Sequence, residues 1–344
     1  MTTILDSSHR TAFTPLRIDA EAEVQRIATA LREQVGGALN RRGVVVGMSG
    51  GVDSSVCAGL AVRAFGPKRV LGLFMPERDS DPQSLALGHE WADKLGITHV
   101  LEDITPLLDG ARCYERRDDA VRMVVPEFGE GWRFKIVLPG DRLHSDRLNV
   151  SMLAVQPPEG ELRTVRLTPE AYRQIVAATN FKQRTRKMME YYHADRLHYA
   201  VVGTPNRLEY DQGFFVKGGD GLADVKPIAH LYKTQVYELA AYLGVPSGVT
   251  DRPPTTDTFS LPQSQEEFYF SLPAVAMDRV LHALNSGLSA AEAAETLGLE
   301  PAQVERAYRD VLQKRATTAY LHAAPLLVDQ VREVSSHAAT VGRG

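Results

Sequence analysis

Cysteine is scarce: only Cys57 and Cys113 occur in 344 residues, far apart and in neither CxxC nor metal-ligand spacing. That argues against a disulfide framework, a zinc ribbon and a paired-thiol redox site. Long apolar runs are lacking too, since no stretch approaches the ~18 consecutive apolar residues of a membrane span. The polar segment Met1–Arg17 has none of the apolar core that a signal peptide carries. A soluble, cytoplasmic protein with no membrane partner is expected. Positive charge is not in excess, because 39 Lys and Arg face 43 Asp and Glu, for a net charge of −4 and a pI of 6.2. A nucleic-acid-binding domain usually shows a basic face and a pI above about 9. No nucleic-acid partner is therefore expected, and any bound anion must be handled locally. Internal repeats and low-complexity tracts are absent as well.

What is present is a core and a rhythm. The chain is 44% hydrophobic, enough for one large or two modest domains of roughly 100–200 residues each. Over residues 18–40, Ile18, Val24, Ile27, Ala28, Leu31 and Val35 recur at helical spacing. A buried strand is expected at Val44–Met48, then a Gly-rich turn and a helix from Ser55 to Phe65. The alternation continues with a strand at Val70–Met75, a helix at Ser80–Leu95 ending at Gly96, and a strand at Thr98–Leu101. Later come a helix around Lys182–His193, a strand at Tyr199–Gly203, and a helix at Lys233–Leu243 stopped by Gly244 and Pro246. Strands alternating with helices of ten or more residues indicate an α/β fold, a doubly wound parallel sheet with helices on both faces.

Two regions leave this rhythm. Within 133–168, the runs Phe134–Leu138, Asn149–Gln156 and Leu162–Leu167 are joined in part by Pro157-Pro158-Glu159-Gly160 and read as a small antiparallel insertion. Beyond Pro262 the chain turns helical, over Glu266–Leu272, Ala276–Leu284, Ala290–Leu297 and Pro301–Lys314. The expected organisation is an N-terminal helical segment over 1–40, an α/β domain over 41–262 carrying the insertion, and a helical region over 263–344.

The turn Ser49-Gly50-Gly51-Val52-Asp53-Ser54 carries the chemistry. A strand-to-helix turn aims main-chain N–H groups at the helix N-terminus, where anions are favoured. Glycines at 50 and 51 let phosphate oxygens approach the backbone, and Ser49, Ser54 and Ser55 add hydroxyl donors. Asp53 cannot hold a phosphate, but it can hold the Mg²⁺ that accompanies one. The loop is neither a Walker A sequence nor a dinucleotide GxGxxG. Two glycines alone would suit any tight turn, whereas the full string SGGVDSS after a Val-rich strand is far more specific.

GMSGGVDSS resembles the pyrophosphate loop of the ATP pyrophosphatases, which adenylate a substrate and release pyrophosphate. Within that superfamily the chain is most similar to the ammonia-dependent NAD synthetases. The match rests on Gly203-Thr204-Pro205-Asn206-Arg207-Leu208-Glu209, on GFFVKGGDGLADVKPI (Gly213–Ile228) and on LYKTQVYELAAYLGVP (Leu231–Pro246). It spans roughly residues 20–105 and 178–270. The resemblance implies an adenine nucleotide alpha-hydrolase-like fold, with ATP and Mg²⁺ as cofactors. It implies ATP phosphates wrapped by Gly47, Met48, Ser49, Gly50, Gly51, Val52, Asp53 and Ser54, and ATP contacts from Thr204. Asp53 and Glu209 would bind the metal, Lys233 would neutralise phosphate charge, and Asp53 with Lys233 would be catalytic. Thr255, in Pro254-Thr255-Thr256-Asp257, would lie on a loop closing over the nucleotide. Arg184, Lys217 and Asp224 match positions that contact deamido-NAD.

The implied reaction adenylates a carboxylate, deamido-NAD in the first instance, and lets free ammonia displace AMP. No glutaminase domain is visible, so ammonia comes free or from a separate partner, and relatives are homodimers. Departures gather on the acyl side. The aromatic residue expected to stack on the nicotinate ring is not identifiable, Val216 stands where a Thr is common, and Tyr320-Leu321-His322-Ala323-Ala324 lacks the usual His-Lys pair. A different carboxylate acceptor is one alternative. A sulfur-transfer or tRNA-modifying pyrophosphatase is another, weakened by the absence of a Cys pair and of a basic surface. A non-catalytic nucleotide-binding regulator would require Asp53 and Glu209 not to hold metal. Leu288–Arg315 also reads like a helix-turn-helix, but Glu305 and Asp310 sit among Gln303, Arg306, Arg309 and Lys314, so a structural hairpin is expected over DNA readout.

Overall fold

The computed structural model describes residues 16–138, 151–252, 258–270, 272–329 and 331. At its centre lies a parallel sheet of four strands, β1 (Val44–Gly47), β2 (Val70–Phe74), β3 (Thr98–Leu101) and β7 (Ala200–Val202), in the order β3-β2-β1-β7. A single parallel bridge from Val202 to Val225 extends it beyond β7. The β-branched run at Val44–Val46 suits the middle of such a sheet, where both faces are covered.

Strand parity divides the core. Val44, Val46, Val70 and Val202 pack with α1 (Ala20–Arg32), α2 (Val52–Phe65) and α8 (Lys233–Leu243). Their alternates Val45, Leu71, Leu73 and Val201 pack with α4 (Thr105–Gly110), α5 (Cys113–Arg122) and α6 (Pro169–Leu197). Helices on both faces of a parallel sheet are the doubly wound arrangement expected from the sequence. Around β2 and β3, α3 (Pro82–Leu95) starts on an Asp81 cap, slightly later than the expected Ser80, and stops at Gly96 as expected.

The insertion is a three-stranded antiparallel sheet, β4 (Arg133–Val137), β5 (Met152–Gln156) and β6 (Arg163–Arg166), in that order. The first residues of the expected strand Asn149–Gln156 lie outside the described residues. Phe134, Ile136, Leu153 and Val155 form a second core with Val121 of α5, Ile175 of α6 and Phe259.

The long α6 departs furthest from expectation, starting at Pro169 instead of near Lys182. Thr168 caps it by accepting from the Ala171 amide at 3.1 Å, and Pro169 occupies the first turn. Its buried face carries Ala171, Ile175 and Ala178 ahead of Lys182, Lys187, Glu190 and His193, so the Thr168-Pro169 start and the apolar spacing after it are local signals that the expected start near Lys182 left unused. The C-terminal helices are α10 (Gln265–Phe268), α11 (Ala274–Asn285), α12 (Ala290–Leu297) and α13 (Pro301–His322). Of these, α10 is shorter than expected and α13 longer. Two short helices complete the set, α7 (Arg207–Gln212) and α9 (Ser247–Thr250).

Candidate nucleotide and metal site

β1 is flanked by β2 on one side and β7 on the other, so the chain leaves the C-terminal ends of β1 and β7 in different directions. Such a switch point opens a crevice outside the sheet. Here the crevice is a cavity of about 780 Å³, within the size range of small-molecule sites. The turn after β1 and the segment after β7 both line it.

Gly51 is the N-cap of α2 and brings no capping side chain. The hydroxyls of Ser54 and Ser55 turn back to the Gly51 carbonyl, at 3.0 and 2.9 Å, and tighten the turn. Gly50 has φ +75°, and a Cβ added there would collide with the Ser84 carbonyl. Only glycine brings the loop this close to α3 without strain. The result is a helix N-terminus facing the cavity across a thin wall of backbone, suited to phosphate.

Opposite this turn, Lys233 begins α8, 2% exposed, with its ammonium bonded to Asp53 Oδ2. Asp278 of α11 accepts from the amides of Lys233 and Thr234 at 3.1 and 2.7 Å and so fixes the start of that helix. Burial pulls the Lys233 pKa down, but the carboxylates of Asp53 and Glu209 outweigh it and hold the ammonium well above its ordinary range. Glu209 lies in the first turn of α7 and is pushed up to about 7 by burial and by the charge of Asp53. The two carboxylates feel each other's charge, which favours a cation beside them; the Lys233 ammonium already meets Asp53 there.

Of the residues singled out in the sequence, the cavity gathers Gly47 through Ser54, Thr204, Glu209, Lys233, Arg184 and Lys217. Lys217 donates to the Tyr320 and Ala323 carbonyls at the end of α13, at 2.7 and 3.3 Å. Asp224 does not line the cavity. Its carboxylate accepts from the Val201 amide at 2.7 Å and from the Tyr191 hydroxyl at 3.1 Å, which secures the end of β7. Thr255 lies outside the described residues.

Sequence reading missed a buried charge network beneath the cavity. The Lys182 ammonium donates to Glu77 and Asp79, each at 2.9 Å, and to the Thr258 carbonyl at 3.1 Å. Tyr114 donates to Glu77 at 2.7 Å, and Arg117 to Asp79 at 2.7 Å. These bonds anchor the segment after β2, whose Pro76, Ser80 and Asp81 line the cavity. The partners lie far apart in sequence, and no local pattern announces them.

A model of the NAD synthase family matches residues 23–123 and 149–318. The chain is 60% identical over 318 residues to the NH(3)-dependent NAD(+) synthetase of Mesorhizobium japonicum, covering 92% of this chain and 99% of that one. It is 58% identical over 319 residues to the enzyme of the same name from Rhizobium meliloti, covering 93% and 95%. Among solved structures, NMN synthetase from Francisella tularensis superposes with a TM-score of 0.62 at 21% identity, over 91% of this chain and 100% of the other, a likeness of fold.

Proposed function

The chain belongs to the NAD synthase family, and from that premise we propose that it makes NAD from deamido-NAD, ATP and ammonia, releasing AMP and pyrophosphate. The observation that carries this reading is the meeting of Asp53, Glu209 and Lys233 beside the Gly50-Gly51 turn. In the first step a carboxylate oxygen of deamido-NAD attacks the α-phosphorus of ATP. The bond to the bridging oxygen breaks, and pyrophosphate leaves with the electron pair. Ammonia then attacks the acyl carbon, loses a proton, and AMP departs with the acyl–oxygen bond's electrons.

Neither step needs a protein nucleophile, so the residues bind, align and balance charge. The glycine turn holds the phosphates against the start of α2. Lys233 offsets their charge from a buried position where the neighbouring carboxylates favour its ammonium form, and Thr204 contacts ATP. Arg184 and Lys217 engage deamido-NAD, while Asp224 supports the neighbouring strand end.

The donor set fits Mg²⁺. Hard carboxylate oxygens from Asp53 and Glu209 suit it, and Mg²⁺ is commonly held by one or two carboxylates plus substrate phosphates. Mg²⁺ held there would offset the charge that builds on the phosphates.

Homodimerisation and a cytoplasmic location belong to the same proposal. Its support is the family; no described helix is long and apolar enough to cross a membrane. Pyrophosphate release with Mg-ATP, ammonia and a panel of carboxylates tests the reading. Release should require deamido-NAD, and Asp53→Ala should abolish it. Equal release with unrelated carboxylates, or persistence in the variant, overturns it.

A further inference from the structure

Asn206 is 1% exposed and touches both carboxylates assigned to the metal. Its Oδ1 accepts from the amides of Leu208 and Glu209, at 2.9 and 3.3 Å, which makes it the N-cap of α7. Its own amide donates to Glu209 Oε2 at 3.1 Å. Its Nδ2 donates to Asp53 Oδ1 at 3.2 Å, across the switch point. From the far side, Gln265 Nε2 donates to Glu209 Oε1 at 2.9 Å.

A cap alone does not account for this residue. Ser or Asp caps a helix about as well as Asn, but neither brings an amide donor to a carboxylate on another helix. Asp would instead set a third negative charge beside Asp53 and Glu209. The carboxamide supplies an acceptor for α7 and a donor for α2 in one side chain. Neutral donors also orient a carboxylate without cancelling its charge, and each oxygen keeps a lone pair for a cation.

We infer that Asn206 and Gln265 are positioning residues that fix the two carboxylates in the orientation a divalent cation requires, Asn206 by tying the first turn of α2 to the first turn of α7. This rests on the reading of Asp53 and Glu209 as metal ligands. Partners that orient metal ligands typically account for about 10–100-fold in metal affinity.

The test is Mn²⁺ binding to the full chain, followed by electron paramagnetic resonance in the presence of a non-hydrolysable ATP analogue. Asp53→Asn should lose the bound signal. Asn206→Ser, which keeps the capping oxygen and loses the amide donor, should weaken Mn²⁺ by about 10–100-fold. Its thermal midpoint should stay near that of the wild type, and its turnover should need correspondingly more Mg²⁺. Gln265→Ala, which touches Glu209 and leaves the α7 cap intact, should shift both readouts in the same direction. If Asp53→Asn abolishes binding while Asn206→Ser and Gln265→Ala bind as the wild type does, the positioning role is overturned and the ligand reading stands. If Asp53→Asn binds normally, the ligand reading fails and the inference with it. Should Asn206→Ser not fold, Gln265→Ala decides alone.

Discussion

The cavity has two unlike halves. Around Gly50 and Asp53 it is built from short contiguous strings at the ends of two neighbouring strands, so backbone geometry places most of the chemistry. Around Arg184 and Lys217 it is assembled from α6, the segment after α7, and the last turns of α13, where Thr318, Tyr320 and Leu321 also line it. The first half depends on local chain stereochemistry, and the second on packing between elements far apart in sequence. The difference explains why the string SGGVDSS suits a phosphate turn by its own stereochemistry, while the second half, proposed for the acyl substrate, is where the departures noted in the sequence fall. A phosphate cradle tolerates little change in backbone, whereas a wall of side chains can be rebuilt.

Several substitutions would break or sharpen this contrast. Lys233→Met should have the largest effect, because it removes a buried cation from between two carboxylates. Turnover should fall by at least about 100-fold, measured as pyrophosphate release, and chemical denaturation should register a loss of about 3–5 kcal/mol. Gly50→Ala should come next, with a strained φ costing about 1–2 kcal/mol and a raised KM for ATP as the loop leaves α3. Lys217→Ala should raise KM for deamido-NAD about tenfold, the scale of one charged hydrogen bond, and leave KM for ATP alone. A shift in both constants would show that the halves are not separable.

The smallest effect concerns pH. Burial pushes Asp278 up to about 6 from the ordinary 3.8. Folding therefore takes up a proton between these values, so this group's contribution is fully present below pH 3.8 and falls as pH rises through about 6. Asp278→Asn should flatten that part of the stability profile, read as thermal midpoints across the same interval. An unchanged slope would place the titration elsewhere.

The sequence by itself determined the parallel sheet, the position of the phosphate turn and the ends of α8 and α12, because apolar periodicity, Gly stops and caps are local signals. It also placed Asp53, Glu209 and Lys233 within strings specific enough to identify. The start of α6 was legible too, in the Thr168-Pro169 cap and the spacing of Ala171, Ile175 and Ala178, although the expected helix began only near Lys182. Tertiary structure alone decided that Asn206 and Gln265 clasp the two carboxylates, that Asp224 braces a strand instead of facing the cavity, and that Lys217 meets the end of α13. Each of these depends on which side chains face one another across the fold. The bonds from Asn206 to Asp53 and from Lys217 to Tyr320 each join residues more than a hundred positions apart. No spacing along the chain encodes such a distance, because it is set by how the helices pack on the sheet.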